Sequence, residues 1–210
     1  MYLPTPFEEH RPGELQRVMR EHPLGALITL GPGGLDANHI PFELMEDTGL
    51  HGALRAHVAR ANPVWREVPA EGADVLVVFQ ASDAYISPNW YPSKPEHHRH
   101  VPTWNYQVVH AHGRLRVMDD ERFVRGLVAR LTREHEQRSE QPQPWTMGES
   151  APEFITGLLQ AIVGIEIEIT RLVGKSKLGQ NREERDRLGA AAGVEGLGNT
   201  QTAMAMRRAG

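Results

Sequence analysis

The chain contains no cysteine, no excess of basic residues and no long apolar run. Without cysteine, disulfides, thiolate metal sites and a cysteine nucleophile are excluded. The 23 Lys and Arg residues against 27 Asp and Glu residues give a formal net charge of −4, which is atypical of proteins that bind nucleic acid nonspecifically. No window approaches the roughly 18 apolar residues of a membrane-spanning helix. We therefore expect a soluble, cytoplasmic protein.

What the 210 residues do contain is mainly strand patterning. Short runs that alternate apolar and polar residues, separated by Gly-rich turns, predict an antiparallel meander of at least six strands. Helical spacing predicts one helix that begins near Pro12 and a second that is capped by Asp119 or Asp120. The string SAPE reads as a capping box that starts a third helix, whose inward residues are Phe154, Ile155, Leu158 and Leu159. We expect a mainly β fold with flanking helices, an antiparallel barrel in one domain over residues 1–195, and a frayed tail over residues 196–210.

The first polar cluster lies in the string RAHVARANPVW, at the end of a predicted strand and the start of a helical turn. It contains Arg55, His57, Arg60 and Asn62. Backbone amides at a helix start and Arg side chains bind anions such as a phosphate monoester. The alternative is a solvated strand face with surface arginines, and the pattern leaves both open.

Two further clusters follow in the strings VPTWNY and GKSKLGQNR. Thr103, Trp104 and Asn105 offer hydrogen bonds to the polar edge of a heterocycle and an aromatic wall for its face. Lys175 and Lys177 alternate onto one side of a strand, where they suit a phosphate or a polar ring. The alternatives are a core Trp beside a turn, and a solvated basic strand.

Histidines are frequent, and His110 and His112 share one face of a predicted strand. Two histidines at this spacing can share a metal ion. No carboxylate is placed as an evident third ligand, so we predict no metal site.

With these clusters in place, the sequence resembles the PaiB family, FMN-binding negative transcriptional regulators within the flavin-binding split-barrel superfamily. The resemblance is carried by MYLPTPFEEH, HPLGALIT, LDANHIPFEL, LRAHVARANPVW, DAYISPNWYPSK, VPTWNYQVVHAHGRLRV and AIVGIEIEITRLVGKSKLGQNR. It implies an antiparallel FMN-binding split β-barrel that forms a homodimer, with FMN bound noncovalently at the subunit interface.

The resemblance also implies roles for particular residues. Asn38, His39 and Ile40 would run along the isoalloxazine, and the segment from Arg55 to Asn62 would meet the phosphate. Thr103, Trp104 and Asn105 would approach from the other subunit. The full set of implied FMN-binding residues is Asn38, His39, Ile40, Arg55, His57, Ala59, Arg60, Asn62, Thr103, Trp104, Asn105, Lys175, Lys177 and Gln180.

One string departs from the family pattern. The chain has KSKLGQN where the family has KWKLSQN, so Ser176 replaces a Trp and Gly179 replaces a Ser. The loss of an aromatic wall and of a hydroxyl group is expected to weaken flavin binding.

Two functions from different classes follow from the resemblance. The first is a flavin-dependent or flavin-sensing negative regulator of transcription, although the net charge does not support direct DNA binding and no helix pair reads as a DNA-reading motif. The alternative is an FMN-dependent oxidoreductase linked to NAD(P)H, in which His39, His110 or Arg55 are candidate proton donors and the pattern chooses none. A haem-handling role is a third possibility that the histidine content permits.

Overall fold

The computed structural model describes residues 1–209, and only the backbone of His97. The described part of the chain contains nine strands, whose bounds are β1 Glu8–Glu9, β2 Leu24–Gly31, β3 Gly34–Pro41, β4 Glu43–Met45, β5 Ala53–Ala59, β6 Ala73–Gln80, β7 Ala84–Ile86, β8 Thr103–Met118 and β9 Ile162–Lys177. The α-helices are α1 Pro12–Glu21, α2 Lys94–His97, α3 Glu121–Arg138, α4 Pro152–Gln160, α5 Glu184–Gly196 and α6 Thr200–Arg208. This content confirms the mainly β fold with flanking helices.

The chain forms two compact units. The terminal unit contains residues 1–22 and 79–110 and the chain from Val173 onward. The central unit contains residues 23–78 and 111–172. The expectation of a single domain over residues 1–195 stays a prediction.

The strands of the sheet follow the order β3-β2-β6-β8-β9-β5-β4, and in addition β1 pairs with β9 and β7 pairs with β8. The β2–β3 hairpin pairs Leu30 with Leu35, and β5 pairs with β9 so that His57 lies opposite Gly164. These pairs are antiparallel, as the alternating pattern predicts. The apolar residues Leu54, Ala56 and Val58 of β5 are buried, because their side chains share the face opposite Arg55 and His57.

Helix α3 begins where the sequence predicts it. Asp120 caps the helix, because its side chain accepts a hydrogen bond from the Phe123 amide at 2.8 Å. Val124, Leu127 and Leu131 form the buried stripe. Helix α1 is likewise confirmed, with Leu15, Val18 and Met19 buried.

Helix α4 begins at Pro152, within the string SAPE, but the capping box predicted there is wrong. The N-cap residue is Ala151, which makes no capping hydrogen bond with a side chain, and a capping box instead joins Thr146 to Glu149 at the preceding 3-10 turn. Of the four apolar residues expected inside, Ile155 and Leu159 are buried, whereas Phe154 and Leu158 are 60% and 51% exposed. A helix of nine residues packs only a narrow stripe of side chains against the core, and Phe154 and Leu158 lie outside this stripe.

Residues 200–208 form helix α6, although the sequence suggested a frayed tail. The Asn199 side chain accepts a hydrogen bond from the Thr202 amide at 3.1 Å and so caps the helix. Thr202, Ala203 and Met206 are buried. The buried guanidinium of Arg187 donates to the carbonyl oxygens of Met206 and Arg207 at the other end. Capping at both ends and burial of one face stabilise this segment.

We expect Gly193→Ala to destabilise the terminal unit by about 1–2 kcal/mol, because overpacking is costly. A Cβ at Gly193 in helix α5 would lie 2.3–2.6 Å from ring atoms of Trp90. The measurement is the thermal unfolding midpoint. The matched control is Gly196→Ala in the same helix, where no atom lies within 4 Å of the added Cβ. Equal midpoints for the two variants would refute the packing role of Gly193.

Candidate functional site

Strand β5 of the central unit carries the first predicted cluster. The Arg55 Nε donates to Glu166 Oε2 on the neighbouring strand at 2.7 Å, and the guanidinium lies 5.4 Å from the centre of the Phe123 ring. The guanidinium of Arg60 makes two hydrogen bonds to Asp119, at 2.8 and 2.6 Å, and further bonds to backbone carbonyls. Both arginines are therefore engaged by carboxylates, so an anion would have to compete for them.

His57 lies on strand β5, between these two arginines in the sequence. Its Nδ1 is the one buried side-chain nitrogen or oxygen without a hydrogen-bond partner among residues 1–209, the His97 side chain excepted. Burial lowers the pKa of His57, because it disfavours the charged imidazolium. A buried polar atom without a partner is costly in free energy. A ligand that supplies an acceptor or a negative charge would remove this cost, so the residues present fit the phosphate end of FMN.

The depressed pKa of His57 predicts how stability depends on pH. The folded state binds the proton less tightly than the unfolded state, so stability is fully present above the ordinary value of 6.5. Below that pH the free energy of unfolding falls, until the folded-state pKa of His57 is reached. Urea unfolding at a series of pH values should show this loss of stability, and His57→Gln should remove part of the loss. The control His39→Gln, at an exposed position, should leave the pH dependence of stability unchanged.

Asn38 and Asn62 meet in the structure, although 24 positions separate them. The Asn62 Nδ2 donates to Asn38 Oδ1 at 2.7 Å, and the Asn62 Oδ1 accepts from the Val64 amide at 3.0 Å. This second bond confirms Asn62 as the cap of the turn Pro63–Trp65. Ala59, the last residue of β5, is exposed.

Strand β3 separates the three neighbours that the sequence grouped together. Asn38 pairs with the buried Leu27, whereas His39 pairs with Ala26 on the opposite face of the hairpin and is exposed. Ile40 is buried. Successive side chains of a strand point to opposite faces, so a ligand on one face reaches the side chain of Asn38 or that of His39, not both.

The second cluster lies at the start of β8 in the terminal unit. Trp104 is 54% exposed, and its ring meets Tyr85 of β7 edge to face, with ring centres 6.1 Å apart. The Lys177 Nζ donates to Thr103 Oγ1. Asn105 is buried. The alternative of a core Trp is therefore wrong, and an aromatic surface with an adjacent ammonium group is available for a planar ligand.

The third cluster surrounds the end of β9. Lys175 is buried, donates to the Tyr2 carbonyl oxygen at 3.2 Å and lies 5.4 Å from the centre of the Tyr106 ring. Burial lowers the pKa of Lys177, and the positive charges of Lys175 and Arg182 lower it further. A solvated basic strand is thus excluded for Lys175. Gln180 is held by its own turn, donating to the Ser176 carbonyl oxygen at 2.5 Å and accepting from the Leu178 amide.

The two departures in KSKLGQN have different structural settings. Gly179 has a φ of +87°, a left-handed conformation that favours glycine over serine. Ser176 is buried and accepts a hydrogen bond from Gln107 Nε2 at 2.9 Å. It lines a cavity of ≈ 680 Å³ in the terminal unit, bounded also by residues of α1 and α6.

Sequence reasoning missed three tyrosines that contact the second and third clusters. Tyr85 meets Trp104, and Tyr2 and Tyr106 lie beside Lys175. Tyr85 and Trp104 are cross-strand neighbours, which follows from the antiparallel pairing of β7 with β8. The position of Tyr106 could have been predicted from the sequence, because it lies two residues after Trp104 and therefore shares the same face of the strand.

Across residues 1–209, the His97 side chain excepted, no three His, Asp or Glu side chains are grouped so that they could hold a metal ion. Within the same part of the chain, no helix is long and apolar enough to cross a membrane.

The antiparallel sheet with flanking helices has the fold of a split-barrel protein. Its fold is similar to that of the FAD and haem binding protein from Mycobacterium smegmatis, with a TM-score of 0.55, 19% identity and coverage of 81% of this chain and 73% of that chain. A conserved hypothetical protein from Mycobacterium tuberculosis gives a TM-score of 0.57 at 11% identity, with coverage of 87% and 94%. At these identities the similarity shows the fold alone.

The chain belongs to the PaiB-like FMN-binding family, whose model, described as "Putative FMN-binding domain", matches residues 1–171. Among its relatives is the Bacillus subtilis "Protease synthase and sporulation protein PAI 2", 33% identical over 188 residues, which are 89% of this chain and 85% of that protein. A protein of Emericella nidulans is 31% identical, with coverage of 94% and 92%. The predicted family and its cofactor FMN are thereby confirmed, while the contacts of individual residues with FMN stay predictions.

Proposed function

We propose that the chain binds FMN, with the central-unit cluster at the phosphate. As the resemblance implies, the terminal-unit cluster of the other subunit lies at the isoalloxazine. The observation that carries this proposal is the buried Nδ1 of His57, which has no hydrogen-bond partner among the described residues and lies on the strand where the phosphate is expected. Asn62 and the start of the turn Pro63–Trp65 supply nearby polar groups. The exposed Trp104 supplies a surface for ring stacking.

The proposal is tested by the imidazole of His57. Bound phosphate favours the imidazolium, so saturating FMN should raise the pKa of His57 measured by NMR. Riboflavin, which has the same ring and no phosphate, is the matched control and should leave it unchanged. If FMN binds and the pKa of His57 does not rise, the phosphate lies elsewhere.

We infer a homodimer in which each flavin contacts both subunits. The support is the exposed apolar face of the β2–β3 hairpin, where Leu24, Leu30 and Leu35 are 60%, 75% and 78% exposed and share one side. Exposed apolar patches of this kind are typical of protein interfaces. Sedimentation should give a dimer, which Leu30→Asp converts to a monomer. Leu50→Asp, at an 89% exposed position outside the hairpin, should remain dimeric.

The physiological role that we propose is that of a flavin-dependent or flavin-sensing negative regulator in the cytoplasm, acting through a partner protein. The family resemblance supports a regulatory role, and the Bacillus subtilis relative is named for protease synthesis and sporulation. The arginines of helix α5 are engaged within the protein, which argues against direct DNA binding through this helix. Arg185 makes ion pairs with Glu96 and Glu183, and Arg187 is buried.

Gel-shift assays with FMN-loaded protein and genomic fragments test the absence of direct DNA reading. We expect no sequence-specific complex at moderate salt. A salt-sensitive complex with one fragment would show that the protein reads DNA itself.

An FMN-dependent oxidoreductase is the second candidate. The cavity lined by Ser176 and Gln180 favours it, because a substrate there would lie beside the segment that we place at the flavin. Oxidation of NADH or NADPH by the FMN-loaded protein would support this candidate. A rate equal to that of free FMN would remove it.

A further inference from the structure

The cavity of the terminal unit has the size of a small-molecule site. Its ≈ 680 Å³ are enclosed by segments far apart in sequence, among them α1, the end of β9 and α6. Cavities of about 300–1,000 Å³ hold ligands in many proteins. Helix α6, the β9 residue Ser176 and the following Leu178 lie beyond residue 171, where the family match ends.

Most charges of the cavity wall are paired with one another. Arg11 makes hydrogen bonds with both carboxylate oxygens of Glu9, and Arg17 makes ion pairs with Glu14 and Glu21 at 3.1 and 2.5 Å. Glu8 pairs with His10, and Arg208 is exposed. A charged ligand among the paired groups would have to break one of these pairs or remain unpaired itself, which costs free energy. This part of the wall therefore favours uncharged ligands.

His22 also contributes to the wall as a neutral group. Its Nε2 lies 3.0 Å from the amide nitrogen of Gln201, which can only donate, so His22 accepts. Burial lowers the pKa of His22, and the nearby Arg17 opposes the raising effect of Glu21. An accepting, neutral imidazole adds no charge to the cavity.

A chain of hydrogen bonds ends in a hydroxyl donor at the cavity wall. Arg17 donates to Gln107 Oε1 at 3.4 Å, and Gln107 Nε2 donates to Ser176 Oγ at 2.9 Å. The oxygen and the nitrogen of the Gln107 side-chain amide each make one of these hydrogen bonds. Ser176 Oγ is the acceptor of the second bond. Its own proton is available to a ligand, because among residues 1–209, the His97 side chain excepted, the Ser176 hydroxyl accepts this bond and donates none.

The rest of the wall is partly apolar, with Ala81, Leu178, Met204 and Ala205. We propose that this cavity binds an uncharged, partly apolar ring compound that carries a carbonyl or carboxamide group. The carbonyl oxygen accepts the proton of Ser176, while the ring packs against the apolar residues. The proposal deepens the oxidoreductase candidate, because it names the class of its substrate, but binding itself does not require FMN.

Ligand-observed NMR with nicotinamide and nicotinate as probes tests this directly. The two compounds have the same ring, but nicotinamide carries a neutral carboxamide group and nicotinate carries a carboxylate anion. We expect nicotinamide to bind at least tenfold more tightly than nicotinate, with or without FMN. Absence of nicotinamide binding, or equal binding of the two, would overturn the proposal. FMN binding is measured separately by quenching of flavin fluorescence, so its failure is distinguishable from failure of the cavity.

Two substitutions locate the probe. Ser176→Trp fills the cavity and should weaken nicotinamide binding at least tenfold, whereas Ser139→Trp, at an exposed position of the central unit, should leave it unchanged. Ser176→Ala removes the donor alone, at a net cost typical of one hydrogen bond, and should weaken binding roughly 3- to 10-fold. If Ser176→Trp does not fold, Ser176→Ala decides, because unchanged affinity in a folded Ser176→Ala variant contradicts the proposed contact.

Discussion

Trp104→Ala should weaken FMN binding by roughly 10- to 100-fold while the protein remains folded. Stacking of a flat ring on an aromatic side chain contributes about 1–3 kcal/mol, which corresponds to this range. Trp104 is 54% exposed, so its removal leaves no cavity in a core. Tyr85, which meets it edge to face, keeps part of the aromatic surface in place. Titration of FMN fluorescence gives the dissociation constants.

Trp145→Ala is the matched control for this substitution. Trp145 is 39% exposed and lies in the central unit, outside both clusters. The same change of side chain there should leave FMN affinity within twofold of the starting value. If Trp104→Ala also stays within twofold, the terminal-unit cluster does not contact the isoalloxazine, and the two-cluster account of the site is wrong.

Arg130→Met should lower the free energy of unfolding by about 2–3 kcal/mol. The Glu43 carboxylate, whose side chain is 9% exposed, accepts from Arg130 Nε at 2.6 Å and from a second guanidinium nitrogen at 2.9 Å. Breaking a buried pair by removing one partner costs about 3–5 kcal/mol, and the 41% exposure of Arg130 reduces this figure. Urea unfolding measures the change.

The control for Arg130→Met lies on the same helix. Arg125 makes an exposed ion pair with Glu121 at a spacing of four residues, and such pairs contribute about 0.3–0.5 kcal/mol. Arg125→Met should therefore have a small effect. The double variant Arg130→Met with Glu43→Leu should recover much of the lost stability, because no unpaired carboxylate remains. Equal effects of the two single substitutions would contradict a special role for Glu43.

The elements that the sequence predicted well are those whose signals are local. Asp120 and Asn62 cap the turns that follow them, because capping depends on a few neighbouring residues. Helix α6 was missed, since its stability comes from Arg187 and from burial of Met206, both long-range effects. Phe154 shows the converse error, in which an apolar residue at helical spacing lies outside the core.

The candidate site was predicted in the same uneven way. The residue types at the clusters were visible from the sequence. The resemblance placed Asn38 and Asn62 at different ends of the flavin and Thr103 on the other subunit, and it did not foresee that Asn38 hydrogen-bonds to Asn62 and Thr103 to Lys177 within one chain. The ion pairs of Arg55 and Arg60 were not visible, because Glu166 and Asp119 come from distant segments. Strand alternation, which is a local rule, would have separated His39 from Asn38.

The most direct test of the central claim is the absorbance spectrum of the purified protein, followed by titration of the protein with FMN. We expect a flavin spectrum with about one FMN per chain or, if the flavin is lost during purification, saturable quenching of added FMN fluorescence with that stoichiometry. A spectrum without flavin, combined with no quenching at any FMN concentration, would contradict the account. A haem absorbance spectrum instead of a flavin spectrum would show that the protein binds a different cofactor.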